Sequence, residues 1–299
     1  MRKFLGFVGV ASLLAGPAFA ADLGTRAPVY KAPPMVPVFG WGGWYIGLNA
    51  GGHWGHDSID SVGTPSFANP AFLAGTTAVA GGLAGLGTYS SNNNNNGFIG
   101  GAQIGYNWQF NSWVAGLEAD IQGLTHNNNV NGQGVVVPLV GFPEHYTGIQ
   151  SADGQVDWLG TVRGRIGFLA APTLLAYGTG GLAYGGAKSA AAVAAQESLG
   201  PATYPPVFGG IDLSETRVGW TIGGGLEWMF APNWSLKGEY LYYDLGHKDG
   251  SYELVQTCNA CFSGGGVAQP PGTVWGAANV NVHSHLNGNI ARVGINYHF

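Results

Sequence analysis

Charge is scarce in this 299-residue sequence: Asp, Glu, Lys and Arg together make up 9% of it, where a soluble domain carries about a quarter. The 11 Lys and Arg are outnumbered by 16 Asp and Glu, so there is no basic field for nucleic acid. Long apolar runs are missing as well. The two best windows are Ile166 to Ala187, broken by Pro172 and six glycines, and Ala71 to Thr88, which is mostly Ala, Gly and Thr. Neither reads as a helix that holds in lipid, which needs ~20 predominantly apolar residues. Phosphate-binding glycine loops and H-E-x-x-H are absent, which removes the commonest enzyme signatures.

What is present begins with Arg2 and Lys3, an apolar run from Phe4 to Ala15, and Ala18-Phe19-Ala20. This is the form of a secretory signal peptide cleaved after Ala20. Cleavage leaves 299 − 20 = 279 residues and a formal charge of 9 − 16 = −7. Residues 21–42 contain Pro28, Pro33, Pro34 and Pro37, which suit an extended lead-in better than a central strand. From residue 43 onward the sequence alternates.

The clearest alternation is the last stretch, N-I-A-R-V-G-I-N-Y-H-F, in which Ala291, Val293, Ile295, Tyr297 and Phe299 take turns with Arg292, Gly294, Asn296 and His298. Such a period means a strand with two unlike faces. The pattern recurs in Trp44–Trp54, Phe98–Phe110, Trp113–Gln122, Val156–Phe168, Leu174–Tyr184, Arg217–Phe230 and Trp234–Tyr243. Eight two-faced strands with a terminal edge to close predict an all-β, eight-stranded antiparallel up-and-down transmembrane barrel.

Ten charged residues fall within these segments, all in the non-apolar phase: Glu118, Asp120, Asp157, Arg163, Arg165, Arg217, Glu227, Lys237, Glu239 and Arg292. A lipid-facing Arg or Lys at mid-membrane would cost ~2–4 kcal/mol. The breaks Asn111-Ser112, Ala170-Ala171-Pro172 and Ala231-Pro232-Asn233 are short and the other four are long. That is the pattern of short periplasmic turns, long extracellular loops and two periplasmic termini. Trp44, Trp108, Trp113, Trp228 and Trp234 gather at the short-turn ends, and Trp54, Trp158 and Trp220 at the far ends, as two aromatic belts would. The long stretch from Asp57 to Gly97 is rich in Gly, Ala and Ser and ends in Asn92 to Asn96. Its composition predicts a mobile loop with too little apolar surface to order itself.

The signal peptide, Trp44-Tyr45-Ile46-Gly47, the G-G-A-Q-I-G-Y-N-W of Gly100 to Trp108, the W-L-G-T-V-R-G-R-I-G of Trp158 to Gly167, Glu239 to Asp244 and the final Phe together resemble the outer-membrane immunogenic protein family. That family is a porin-family branch of the OmpA-like eight-stranded barrels of Gram-negative bacteria. The resemblance implies an outer-membrane surface antigen surrounded by outer-membrane lipid. It also makes Phe299 the signal by which the barrel-assembly machinery takes up the chain.

Inside an eight-stranded barrel there is room only for side chains, so five acids and five bases must pair. Two readings remain, a charge-lined channel or a filled plug, and the strand count favours the plug. Centring the turns places Glu227 opposite Lys237 and Arg165 opposite Tyr177. Cys258 and Cys261 spell C-N-A-C, in an exported chain most simply a local disulfide. Zinc would need two further ligands such as His283 and His285, and solvated histidines are commoner; no metal or cofactor is expected. The histidines His53, His126, His247 and His285 could line an outer rim, but without a nucleophile they make a weak case for a lipid-modifying enzyme. The reading that results is a structural and surface-display barrel, with porin-like transport as the alternative and loop-borne contacts to host molecules as its outward partners. The oligomeric state is left open.

Overall fold

The computed structural model describes residues 40–125, 132–198, 204–259 and 268–299, so the signal peptide, residues 21–39, His126, Asn127 to Asn129 and Cys261 lie outside the described residues. In chain order the strands are β1 (Gly43–Ala68), β2 (Tyr89–Phe110), β3 (Trp113–Leu124), β4 (Gly132–Pro138), β5 (His145–Ala171), β6 (Leu174–Ser198), β7 (Val207–Ala231), β8 (Trp234–Cys258) and β9 (Thr273–His298). A helix, α1 (Leu73–Gly87), stands between β1 and β2. Every pairing is antiparallel; β1 closes on β9 and β3 on β5, as in Leu48↔Ile295 and Glu118↔Arg163. Eight strands therefore make the ring, and β4 pairs with the far part of β5.

Alternation shapes the outside of this ring. Ile46, Leu48, Leu117, Ile121, Val162, Ile166, Ile222, Leu226 and Val293 point outward and are exposed, while the interleaved positions are buried. Trp44 and Trp54 bound this apolar band on β1. Ten residues at ~3.3 Å each, tilted ~40°, give a height of roughly 25 Å, the thickness of a barrel's lipid-facing band. The turn at Asn111-Ser112 bends through Asn111 at φ 53°, in the left-handed region that Asn tolerates.

Two features depart from the sequence expectation. The strands run far past the second aromatic belt: β1, β5 and β9 have 26, 27 and 26 residues. The stretch 57–97, expected to lack enough apolar surface to order itself, is strand, helix and strand. The window 71–88, rightly rejected as a membrane span, is helical inside the barrel's long-connection end; among the described residues no helix is long and apolar enough to cross a membrane.

The helix carries no charge in either terminal turn, and Asn69 caps the 3-10 turn Pro70–Phe72 that leads into it by accepting the Ala71 N–H at 3.1 Å. Val79, Leu83 and Leu86 are buried against Ile59 of β1, Val193 of β6, Leu254 of β8, and Val280 and Val282 of β9. Close approach explains Gly63, where a Cβ would run into the backbone of Ala84.

Among the described residues, one part of the wall shows no backbone ladder. Above Ile99↔Leu124, β2 pairs only with β1, and residues 152–157 of β5 have no partner strand on that side among the described residues. Side chains bridge this seam. Asn93 and Asn95 donate to the carbonyls of Ala152 and Gly154 at 2.9 and 3.0 Å, and the Tyr89 hydroxyl donates to Ser151 O at 3.1 Å.

Candidate functional site

The inward side chains form layers along the lumen. Nearest the short turns is an apolar floor of Trp41, Val114, Leu175, Tyr177 and Met229. Trp41, which falls within the stretch expected to be an extended lead-in, is instead fully buried, its indole N–H donating to Pro172 O at 3.0 Å.

Above the floor sits the charge lattice. Glu118 and Asp120 come from β3, Arg163 and Arg165 from β5, Glu227 from β7, Lys237 and Glu239 from β8, and Arg292 from β9. All are inward because they share the phase opposite the lipid-facing residues. Lys237 donates to both oxygens of Glu118 at 2.9 and 3.0 Å, and Arg163 also pairs with Glu118. Arg163 reaches Asp120 at 2.8 Å and Glu239 at 3.1 Å, Arg165 reaches Glu227 at 3.0 Å, and Arg292 reaches Asp120 at 2.7 Å. Four carboxylates thus meet four cations, and the cluster is neutral as a whole.

Neutral groups complete it. The Tyr45 and Tyr177 hydroxyls donate to Glu118 and Glu239 at 2.6 and 3.0 Å, and Asn296 donates to Glu227 at 2.7 Å. The Arg165 guanidinium lies 4.8 Å from the Tyr45 ring centroid and 5.2 Å from that of Tyr177, within cation–π range. The sequence named Tyr177 only as the partner expected opposite Arg165, and gave neither tyrosine a place in the lattice; an aromatic in the polar phase is the signal for that role.

Eight of the ten expected lumen charges are therefore together. Arg217 is buried in a higher layer, where it donates to Ser189 Oγ at 3.1 Å and Ser284 Oγ at 3.2 Å. Asp157, expected inward, is corrected: its side chain is 34% exposed and pairs with the outer Lys188 at 2.6 Å. A bulge between Val156 and Trp158 adds a residue to β5 and shifts its phase. Glu227 does face Lys237, but Arg165 faces Thr179, because the turn lies at Pro172-Thr173 rather than at Ala171, with a second bulge between Leu169 and Ala171 beside it.

A second apolar layer, including Ile99, Leu159, Leu241 and Ile290, covers the lattice, and the cluster around α1 stands above that. The rim histidines do not converge. His53 faces the lumen, 2.9 Å from Thr125 O, whereas His247 and His285 stack at 4.1 Å on β8 and β9. His285 and His283 lie 3.2 and 2.6 Å from Asp244 and Asp249. Cys258 is disulfide-bonded.

Residues 12–299 match the family model of the outer membrane protein beta-barrel domain. The chain belongs to that family. Over 306 residues it is 33% identical to the 31 kDa outer-membrane immunogenic protein of Brucella melitensis biotype 1, covering 99% of this chain and 100% of that one. Its likeness to the 22 kDa outer membrane protein of Rhizobium leguminosarum bv. viciae is 33% over 177 residues, 58% of this chain and 65% of the other. Among solved structures, OprG from Pseudomonas aeruginosa aligns with a TM-score of 0.35 at 11% identity, over 86% of this chain and 96% of that one. As a member of the outer-membrane barrel family, this protein resides in the outer membrane, and the apolar band between its two belts is the part that meets lipid.

Proposed function

We propose that the protein is a structural, non-conducting and non-enzymatic barrel. It stiffens the outer membrane and presents its strand extensions to host molecules or neighbouring surfaces. In this reading the signal peptide leaves after Ala20, both termini lie in the periplasm, and the α1 end faces outward. The observation that supports it is the succession of buried side-chain layers along the lumen, with a neutral ion-pair lattice between two apolar ones. Lattices of this kind hold water and ions out because each charged group is already occupied.

Planar-bilayer recording is the test. Folded monomer is expected to give no unitary openings, and reproducible openings would favour porin-like transport of small solutes. Val140, 86% exposed at the α1 end, provides the orientation test: the Val140→Cys variant is expected to react with a membrane-impermeant maleimide on intact cells. Labelling only after the envelope is opened would reverse the proposed orientation.

The terminal aromatic is proposed as the handle for barrel assembly. Phe299 is 69% exposed, and its N–H donates to Trp44 O at 3.0 Å. Deleting it is expected to lower the yield of heat-modifiable, folded barrel in the outer membrane several-fold. A variant stable once folded in detergent yet scarce in cells would locate the loss in assembly rather than in stability.

A further inference from the structure

Immediately behind the β2–β5 seam, between the second apolar layer and the α1 layer, lies a cavity of about 20 Å³. That is room for one ion or one water. Its walls include His53 and Asp57 of β1, Asn95 of β2, Gly154 and Gln155 of β5, and Tyr243 of β8. Asp57 is 3% exposed, and neither carboxylate oxygen has a hydrogen-bond partner among the described residues. A Cβ at position 154 would collide with this carboxylate, so Gly154 leaves the space it occupies. Burial first, and the charge of Asp153 second, push Asp57 up to about 7, with Arg217 pulling the other way.

A carboxylate withdrawn from water with its lone pairs unfilled is costly unless a proton or a cation neutralises it. Asp57 and Asn95 both line the cavity. Asn95 is held in place by its donation to Gly154 O. Among the described residues no group of three or more His, Cys, Asp or Glu is placed to hold a metal ion, which is a poor fit for zinc or copper. Carboxylate plus amide oxygens suit a hard cation instead.

We propose that this cavity is a hard-cation site of the calcium class, with Asp57 as its anionic ligand and the Asn95 amide oxygen as a neutral one. It lies beside the stretch where Asn93 and Asn95 of β2 donate to carbonyls of β5. A bound cation there ties Asp57 of β1 to Asn95 of β2.

The test uses the full barrel, refolded in detergent and stripped with chelator, then unfolded in urea at pH 8 with calcium chloride, magnesium chloride or sodium chloride as probe. With calcium at ten times its dissociation constant, the folded-to-unfolded ratio is expected to rise about tenfold. In Asp57→Asn that rise is expected to vanish. In Gly154→Ala, which keeps the charge and crowds the carboxylate, it is expected to weaken.

The sign with pH is fixed by the raised folded value. In chelator, wild type loses stability relative to Asp57→Asn as pH climbs from the ordinary carboxylate range through about 7; calcium closes that gap at pH 8. An equal ion response in both proteins overturns the proposal, as does a gap that no ion closes, which would make a proton the occupant.

Discussion

Replacing Glu118 with Gln is expected to destabilise the barrel by about 3–5 kcal/mol, the usual consequence of leaving a buried charge uncompensated. Glu118 is the hub: Lys237 and Arg163 both donate to it, Tyr45 adds a third hydrogen bond, and Arg165 lies 3.7 Å away. Glutamine fills the same volume, so packing is retained and only charge is lost. The lattice then holds four cations against three carboxylates. Unfolding in urea, followed by tryptophan fluorescence and gel mobility, reads the difference. The decisive comparison is Glu118→Gln with Lys237→Met, which returns the count to three and three. That double variant is expected to recover a large part of the loss; if it is as unstable as the sum of the single variants, charge balance is not what holds the lumen together.

Leu83→Asp is expected to have an effect of similar size in another place. Leu83 is fully buried in the cluster around α1. Docking that helix rests on burying Val79, Leu83 and Leu86, at most ~1.5–3 kcal/mol each. An ionised carboxylate in that position costs several kcal/mol, so the helix should leave the lumen. Limited proteolysis would then cut within residues 69–88, while heat-modifiable mobility persists, because the lattice and the strand ladder are untouched. Bilayer recordings of the same variant should stay silent, since the lattice lies below the helix. Channel openings would show that α1, rather than the ion pairs, closes the tube.

The contrast between these layers explains what the amino acids made legible. Lipid imposes a harsh penalty on misplaced charge, so wherever one face meets it the alternation is unmistakable. All eight ring strands could be located from Trp44–Trp54 to the terminal aromatic, along with eight of the ten lumen charges. Past the second belt both faces tolerate Gly, Ala, Ser and Asn, as in Ala187 to Ala195 of β6, and the two-residue period loses contrast. The strand extensions and β4 were invisible for that reason. Helix α1 was hidden differently: its small residues fit a narrow lumen, and the same smallness gives a weak apolar signal. Asp157 was lost to a bulge, which adds a single residue and leaves no mark in composition, and the Arg165 register to a turn that lies at Pro172-Thr173 rather than at Ala171. Trp41 was hidden by the prolines before it, although an isolated tryptophan beside a barrel's first strand is a large apolar surface in need of cover.

The asparagine tract of β2 has its own consequence. Five identical residues look like filler, yet only alternate members, Asn93 and Asn95, reach across to β5. Lengthening the tract by a single asparagine would keep an Asn at each inward position but turn either Tyr89 or Phe98 to the wrong face, whereas lengthening it by two would preserve both. Tolerance in this homopolymer should therefore follow odd and even numbers, a parity rule in a segment whose composition alone suggests no rule.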